Sequence, residues 1–238
     1  MIIPSVAALG GLDEHLPVSV VIPTFNEEAN LPHVLERMPE GIDEVLVVDG
    51  HSADRTVEVS KECRPDVRVV YQNGTGKGKR PGLRFCPVDR AIIVMLNGDG
   101  STDPQEIPRF VATLMTGADF VKGSRFITGG DSDDFTPMRR LGSRLLSSVV
   151  NVLFDTNSTD LCYGYTAFRR TCLDEFSVDA KGFEVETLMN VRAARAGVRV
   201  AEVPSFEKAR ISGESSFHAR RDGLRVLRTI IAECVRPR

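Results

Sequence analysis

Runs of β-branched and aliphatic residues alternate with segments of helical apolar spacing through the first 120 positions of the chain. The runs predict strands at Val18–Ile22, Val45–Val48, Val67–Tyr71, Ala91–Leu96 and Phe120–Val121. Helices are predicted after an N-cap at Asn26, after a cap at Ser52, over residues 78–86, and from Asp103-Pro104 through Met115. This alternation predicts an α/β fold, a mostly parallel, doubly wound sheet flanked by helices.

The second half of the chain has a different pattern. Residues 128–137 are rich in turn-forming residues and predict a mobile loop. Further elements are predicted as helices at Met138–Phe154, Phe183–Ala196 and Ala219–Val235, and as strands at Cys162–Gly164 and Val198–Val203. We therefore expect an N-terminal extension over 1–16 and one domain over 17–238, with a nucleotide-binding half (17–125) and an acceptor half (126–238).

Polar residues cluster where three of the predicted strands end. The first strand is followed by Pro23–Glu27, the second ends at Asp49, and the fourth is followed by Asn97-Gly98-Asp99. Open sheets of this kind bind ligands beyond the carboxyl ends of their strands. The coincidence predicts one ligand site at that edge of the sheet.

Asn97 and Asp99 resemble an Asp-x-Asp pair that has lost its first charge. On an extended backbone, residues two apart point to the same face. Carboxylate and amide oxygens are ligands for a hard divalent cation, although the amide brings no charge. The pair therefore predicts a cation and diphosphate site in which Asp99 carries the charge.

Two other features have competing interpretations. Asp49 is placed to accept a hydrogen bond from a nucleobase edge, but an Asp-Gly pair is also a common turn. The glycine-rich stretch 73–79 lacks the first glycine and the final Ser or Thr of a P-loop. Its Lys77 and Lys79 remain either point charges for phosphates or part of a solvated loop.

Composition narrows the function classes. The net charge of −3 over 238 residues argues against general nucleic-acid binding. Five cysteines without a CxxC pair favour reduced thiols in a cytoplasmic protein over structural zinc. The sequence shows neither a basic signal-peptide start nor an apolar run of the roughly 20 residues that cross a bilayer.

The C-terminal region is basic, with eight basic and three acidic residues from Lys208 to Arg238. In its predicted helix, Leu224, Leu227 and Ile231 share one face. A basic amphipathic helix of this kind lies on an anionic membrane, as a peripheral contact. The alternative is that this apolar face packs on the domain and the arginines point into solvent.

Together these segments resemble family 2 glycosyltransferases of the GT-A (Rossmann-like) fold, most closely the dolichol-phosphate mannosyltransferase-like branch. The match extends over roughly residues 17–216. Its motifs are Pro23–Glu28, Val47–Thr56, Gly76–Gly78, Asn97–Pro104, Gly123–Phe126, Arg139–Ser143, Thr159–Gly164, Gly182–Glu186 and Glu202–Pro204. Each motif is weak alone, but their order and spacing are specific.

The resemblance implies a role for each strand-end segment. The nucleoside of a UDP-, GDP- or dTDP-sugar would be held by Pro23, Thr24, Asn26, Glu27 and Asp49, with Asp54 and Lys77 nearby. Asp99 matches the last aspartate of the DxD motif, which ligates Mg²⁺ or Mn²⁺ on the diphosphate. Asn97 replaces the first aspartate, and Gly98 lies between them.

The chemistry requires positive charge at the departing diphosphate, which cations or arginines supply. The candidate arginines flank the expected site: Arg125, Arg139, Arg140 and Arg210. Arg125 is the favoured one, and for Arg139 and Arg140 a solvated helix start is the alternative. A phosphate acceptor is already ionised, whereas a hydroxyl acceptor requires a general base. The candidate bases are Asp131, Asp133 or Asp134 on the loop, and Glu184 or Glu186, for which a helix-start role competes.

The resemblance implies an inverting transfer of a sugar to a polyprenyl phosphate or a small-molecule acceptor. Two alternatives remain at this stage. One is a sugar-phosphate nucleotidyltransferase, although Pro23–Glu28 lacks the glycine-rich basic signature of that class. The other is a catalytically silent nucleotide-sugar-binding protein, because Asn97 removes a charge from the expected metal site.

Overall fold

A computed structural model describes residues 16–72, 91–173, 184–213 and 219–236. Its strands are β1 (Val18–Thr24), β2 (Glu44–Asp49), β3 (Arg68–Tyr71), β4 (Ile92–Met95), β5 (Phe120–Ser124), β6 (Asp131–Ser132), β7 (Thr166–Arg169), β8 (Val200–Pro204) and β9 (Phe206–Glu207). Its helices are α1 (Leu31–Leu35), α2 (Thr56–Cys63), α3 (Ile107–Met115), α4 (Pro137–Phe154), α5 (Glu184–Arg195) and α6 (Ala219–Val235). The predicted extension before residue 16 and the predicted helix over 78–86 lie outside this description.

The central sheet has the strand order β3-β2-β1-β4-β7-β5-β8. All neighbouring pairs are parallel except those that β7 makes with β4 and β5. The prediction of a mostly parallel α/β sheet flanked by helices is therefore confirmed. The predicted strand at Cys162–Gly164 is wrong, because β7 begins at Thr166. The predicted loop over 128–137 contains β6, which pairs with β9.

Helix starts were predicted with mixed success. Asp103 caps as expected, since its side chain accepts a hydrogen bond from Gln105 N at the start of a short 3₁₀ turn leading into α3. The predicted cap at Asn26 is wrong, because α1 begins only at Leu31. The predicted cap at Ser52 is also wrong, since Arg55 precedes the first residue of α2.

The core lies on both faces of the sheet. Alternate residues of β1 divide between them, so that Val20 and Ile22 belong to one cluster and Val21 to the other. The first cluster includes α3 through Phe110, whose ring stacks on Tyr165 at 4.3 Å between centroids. A third cluster joins α4, α5 and α6. Because both faces are covered, the central strands β1, β2 and β4 are almost continuously apolar.

Gly123 in β5 marks a close approach between the sheet and an aromatic pair. A Cβ atom at this position would lie 2.8 Å from Cε1 of Tyr163 and 3.2 Å from Cζ of Phe110. Both rings are fully buried. A side chain here would therefore displace core aromatic rings that have little room to move.

We expect Gly123→Ala to lower the free energy of unfolding by about 1–3 kcal/mol through overpacking. Gly142→Ala is the matched control, because a Cβ atom there meets nothing within 4 Å. Gly142 lies inside α4, so its replacement should stabilise by about 0.5–1 kcal/mol. Urea unfolding of both variants measures the difference, and equal effects would contradict the packing at Gly123.

Candidate functional site

The loops that follow β1 and β2 are joined by hydrogen bonds between side chains and backbone. The Asn26 N–H donates to Ser52 Oγ (2.9 Å), and the Ala53 N–H donates to Asn26 Oδ1 (2.8 Å). The Glu27 N–H donates to Thr56 Oγ1 at 2.8 Å. Asn26 has a φ of +56°, a left-handed conformation that asparagine tolerates well. Asn26 and Ser52 therefore connect the loops instead of capping helices.

Asp54 also belongs to this loop junction. Its Oδ2 accepts from the Glu28 N–H (3.1 Å), and its Oδ1 accepts from the Thr56 N–H (3.0 Å) at the start of α2. Glu28 makes a second hydrogen bond between the same two loops: its Oε2 accepts from the Arg55 N–H at 2.9 Å. Asp54 was expected near the nucleoside, but its carboxylate oxygens are engaged in shaping the two loops.

Asp49 ends β2 with a buried carboxylate in a tight turn. Its Oδ2 accepts from the Ser52 N–H (2.9 Å) and its Oδ1 from the Ser52 hydroxyl (2.5 Å). The turn interpretation of Asp49 is therefore realised. A carboxylate oxygen can accept more than one hydrogen bond, so the turn does not exhaust its capacity. Contact with a nucleobase edge stays a prediction.

Tyr71 and His51 form an aromatic pair beside Asp49 that sequence reasoning missed. Tyr71 pairs with Asp49 across β2 and β3 and is 55% exposed. Its ring stacks on His51 with centroids 6.0 Å apart and an interplanar angle of 20°. The available signal was an aromatic residue at the end of the predicted third strand, Val67–Tyr71.

Asn97 and Asp99 do not share their surroundings, contrary to the expectation from an extended backbone. β4 ends at Met95, and a turn follows. Asp99 Oδ1 accepts from the N–H and the hydroxyl of Ser101, at 3.0 and 2.6 Å. The side chain of Asn97 instead lies beside Gly164, where the position of a Cβ atom is 3.3 Å from Asn97 Oδ1. Alternation of side chains applies only within the strand, which stops before the pair.

Gly98 allows the β4 loop to approach β1 closely. A Cβ atom at Gly98 would lie 2.9 Å from Cγ2 of Thr24, and Thr24 is itself buried. Gly98 and Thr24 therefore shape the site through packing. Pro23 lines a cleft with Asn97 and Glu186.

Arg210 connects two strand-end loops to the segment after β9. Its Nη2 lies 2.6 Å from Glu27 Oε2, and its Nη1 lies 3.6 Å from Asp99 Oδ2. Burial raises the pKa of the Glu27 carboxyl, although hydrogen bonds from Asn30 and Arg210 oppose that shift. Of the four candidate arginines, Arg210 is thus the one that contacts the strand-end carboxylates Glu27 and Asp99.

Arg125 is a correction to the sequence interpretation. Its guanidinium is buried, with Nε 2.7 Å from Asp160 Oδ2 and Nη1 2.8 Å from Glu207 Oε2. The group also lies over the rings of Phe135 and Tyr163, at 4.4 and 4.7 Å from their centroids. Its charge is therefore committed to buried carboxylates and not directed at a departing diphosphate.

Arg139 and Arg140 at the start of α4 are also engaged locally. Arg139 Nη1 lies 2.5 Å from Asp134 Oδ2, and Arg140 Nη2 lies 2.8 Å from Asp131 Oδ1. The Ser132 N–H and the Arg140 guanidinium hold the pKa of Asp131 below its ordinary value. A lowered pKa makes a weaker base, and the role of Asp131 as the general base stays a prediction.

Of the remaining candidate residues, the structure describes the side chain of Glu186 but not those of Glu184 and Lys77. Glu186 lies near Asn97, whereas the side chain of Glu184 and all of Lys77 lie outside the described residues. Within the described ranges, no group of three His, Cys, Asp or Glu side chains is arranged to hold a metal ion. A cation at Asp99 would therefore need oxygen ligands from a bound diphosphate.

Within the described residues, no helix is both long and apolar enough to cross a membrane. α6 buries Val226 and Ile230 against the domain, while Leu224 and Ile231 are exposed. The alternative in which the helix packs an apolar face on the domain and its arginines point into solvent is therefore realised. The buried residues are Val226 and Ile230, however, and not the expected Leu224 and Ile231.

Comparisons with known proteins agree with this geometry. The model of the family "Glycosyl transferase family 2" matches residues 19–176. The undecaprenyl-phosphate mannosyltransferase of Micrococcus luteus is 34% identical over 213 residues, covering 84% of this chain and 87% of that protein. The polyprenol monophosphomannose synthase of Mycolicibacterium smegmatis is 31% identical over 199 residues, covering 78% and 75%.

A solved structure has the same fold. Glucosyl-3-phosphoglycerate synthase from Mycobacterium tuberculosis, in complex with Mn²⁺, UDP and glucosyl-3-phosphoglycerate, superposes with a TM-score of 0.73 at 22% identity. The superposition covers 99% of this chain and 86% of that chain.

We expect Arg125→Met to lower the free energy of unfolding by about 3–5 kcal/mol, because two buried carboxylates would lose their cation. Arg140→Met is the control, since its ion pair is exposed and its loss should leave the unfolding midpoint nearly unchanged. Urea unfolding measures both. Full stability with lost activity in Arg125→Met would instead support the original role at the diphosphate.

Proposed function

This chain belongs to glycosyl transferase family 2, and from that membership we propose that it moves a hexose from a nucleoside diphosphate hexose to a polyprenyl phosphate, assisted by Mg²⁺ or Mn²⁺. The observation that carries the proposal is the convergence of Glu27, Asp99 and Arg210 beyond the ends of β1 and β4. The relatives named for transfer to polyprenyl carriers support the choice of acceptor.

The nucleoside is assigned to the ends of β2 and β3. The Asp49 carboxylate would accept a hydrogen bond from the base edge, and the exposed Tyr71 ring offers a face for stacking. Base–aromatic stacking contributes about 1–3 kcal/mol without selecting the base, so this assignment leaves UDP-, GDP- and dTDP-sugars as donors. The hydrogen bonds between the loops after β1 and β2 hold this part of the site in one conformation.

The residues around Asp99 fit a hard divalent cation. Ser101 engages Asp99 Oδ1, and Oδ2 faces Arg210 at 3.6 Å. Mg²⁺ is commonly held by one or two carboxylates together with substrate phosphates, which matches a single carboxylate beside a diphosphate. When bound, such a cation neutralises charge on the departing diphosphate. Mn²⁺ accompanies UDP in the structural neighbour described above.

Arg210 adds a positive charge beside Asp99, at the proposed diphosphate position. Its guanidinium contacts Glu27 and faces Asp99. A bound diphosphate would accept hydrogen bonds from this group, since guanidinium matches phosphate geometry in a bidentate manner. A polyprenyl phosphate acceptor is already ionised, so the transfer requires no general base.

The two alternatives from the sequence are less well supported. Family membership places the chain among sugar transferases, not among nucleotidyltransferases. The silent binding protein depended on Asn97 as a damaged metal ligand. Asn97 lies beside Gly164, whereas Arg210 faces Asp99. The cation is therefore assigned to the Asp99 carboxylate, which does not depend on a charge at position 97.

A peripheral membrane contact would suit a lipid phosphate acceptor. α6 exposes Leu224, Ile231 and Val235, with exposed Arg225 and Arg228 among them. Exposed apolar side chains beside arginines match the interface of an anionic bilayer, where apolar groups insert and cations meet the head groups. We assign this surface of α6 to membrane contact.

We expect UDP or GDP to raise the melting temperature more with Mn²⁺ than without it. A ligand at about 100 times its dissociation constant stabilises the folded state by roughly 2.7 kcal/mol. Asp99→Asn should remove the Mn²⁺-dependent part of the shift and most of the transferase activity. Asp66→Asn, an exposed change ahead of β3, is the control. An unchanged Mn²⁺ effect in Asp99→Asn would contradict the cation assignment.

We expect the protein to cosediment with vesicles containing phosphatidylglycerol more strongly than with phosphatidylcholine vesicles. Leu224→Glu should weaken that binding several-fold, because a carboxylate replaces an inserting side chain. Val200→Glu is the control: it also replaces an exposed apolar side chain with a carboxylate, but on β8, and it should bind as wild type. Equal binding by both variants would exclude the α6 surface as the contact.

A further inference from the structure

A cleft opens beside the β4 loop, separate from the contacts of Asp99. It is lined by Pro23, Met95, Leu96, Asn97, Gly164, Val185 and Glu186. Most of the lining is apolar, and Asn97 and Glu186 supply the polar groups that are not backbone. An apolar cleft with a few convergent polar groups is the usual form of a small-molecule site.

Gly164 fixes how closely the two polar side chains approach one another. The position of a Cβ atom on Gly164 lies 3.2 Å from Glu186 Oε1 and 3.3 Å from Asn97 Oδ1. Glu186 reaches this point from the first turn of α5, and Asn97 reaches it from the turn after β4. The two oxygens therefore flank one point, which stays open because residue 164 has no side chain.

This proximity gives a physical reason for the neutral residue at position 97. An aspartate there would add a second carboxylate whose oxygen, like that of Glu186, lies within 3.3 Å of the same point, and two like charges so close to one point disfavour each other's ionised form. An asparagine keeps the size of the side chain and its acceptor oxygen, and adds an N–H donor. The negative charge that Asn97 lacks in the DxD-like motif is thus supplied by Glu186 on α5.

We propose that Asn97 and Glu186 form a pair that binds vicinal hydroxyl groups of the transferred hexose, and that Asn97 is neutral because Glu186 supplies the charge of the pair. This inference rests on the proposed transferase function. A sugar hydroxyl both donates and accepts hydrogen bonds, which a carboxylate beside a carboxamide matches. Met95 and Val185 offer apolar surface for the C–H groups of the ring.

The pair divides the DxD-like motif between two tasks. Asp99, with Ser101 and Arg210, lies on the diphosphate side. Asn97, with Glu186 and Gly164, lies on the hexose side. The first position of the motif therefore selects the sugar and does not bind the cation.

The test is equilibrium binding of GDP, GDP-mannose, UDP and UDP-glucose to the full chain with Mn²⁺, by isothermal titration calorimetry. Glu186→Gln and Asn97→Asp should each weaken binding of the hexose nucleotide about 10- to 100-fold, the range for a hydrogen bond to a charged group. Binding of the parent diphosphate should change less than about twofold, because the pair does not touch it. Glu58→Gln on α2 is the control and should bind both as wild type.

The double variant Asn97→Asp with Glu186→Gln restores one carboxylate and one carboxamide in exchanged positions. We expect it to recover most of the lost hexose affinity, which a general loss of packing would not produce. Wild-type hexose affinity in Glu186→Gln, or tighter Mn²⁺ and diphosphate binding in Asn97→Asp, would overturn the inference while the transferase function stood. Absence of binding by every nucleotide to the wild type would overturn both.

Discussion

The parallel pairing of β1 with β2 on one side and with β4 on the other is the constraint on which the site depends. It brings the carboxyl ends of three strands to one edge of the sheet. The backbone N–H groups at those ends have left the sheet ladder and need new partners. Asn26, Ser52 and Asp54 provide them, so loop structure and site geometry come from the same hydrogen bonds.

A buried arginine that pairs with two carboxylates connects distant segments in the second half of the chain. Arg125 at the end of β5 meets Asp160 from the segment before β7 and Glu207 from β9. These residues are far apart in sequence, and none of them is stable in the interior without the others. Their cluster joins the end of β5 to β9 and to the segment before β7. Beyond the ends of β1 and β4, Arg210 links Glu27 and Asp99 in a more accessible position, where we propose that a diphosphate binds.

Much of the fold was predictable because it rests on local patterns. The apolar runs of β1, β2 and β4 and the cap at Asp103 are properties of short segments, and the structure agrees with them. β7 and β9 were missed, since Thr166–Arg169 is short and Phe206–Glu207 is a strand only because it pairs with β6. Arg125 was misassigned because burial, which sequence does not show, decides whether a charge serves a ligand or the core.

The sequence by itself determined the alternation of elements, the family and the strand ends at which polar residues gather. Those properties depend on side-chain chemistry at fixed spacing along the chain. Only the tertiary structure decided which polar residues come together: Asp99 faces Arg210, and Asn97 and Glu186 both approach Gly164. The physical reason is that β4 ends before Asn97, and the turn that follows sends two neighbouring side chains to partners more than 60 residues away in the chain.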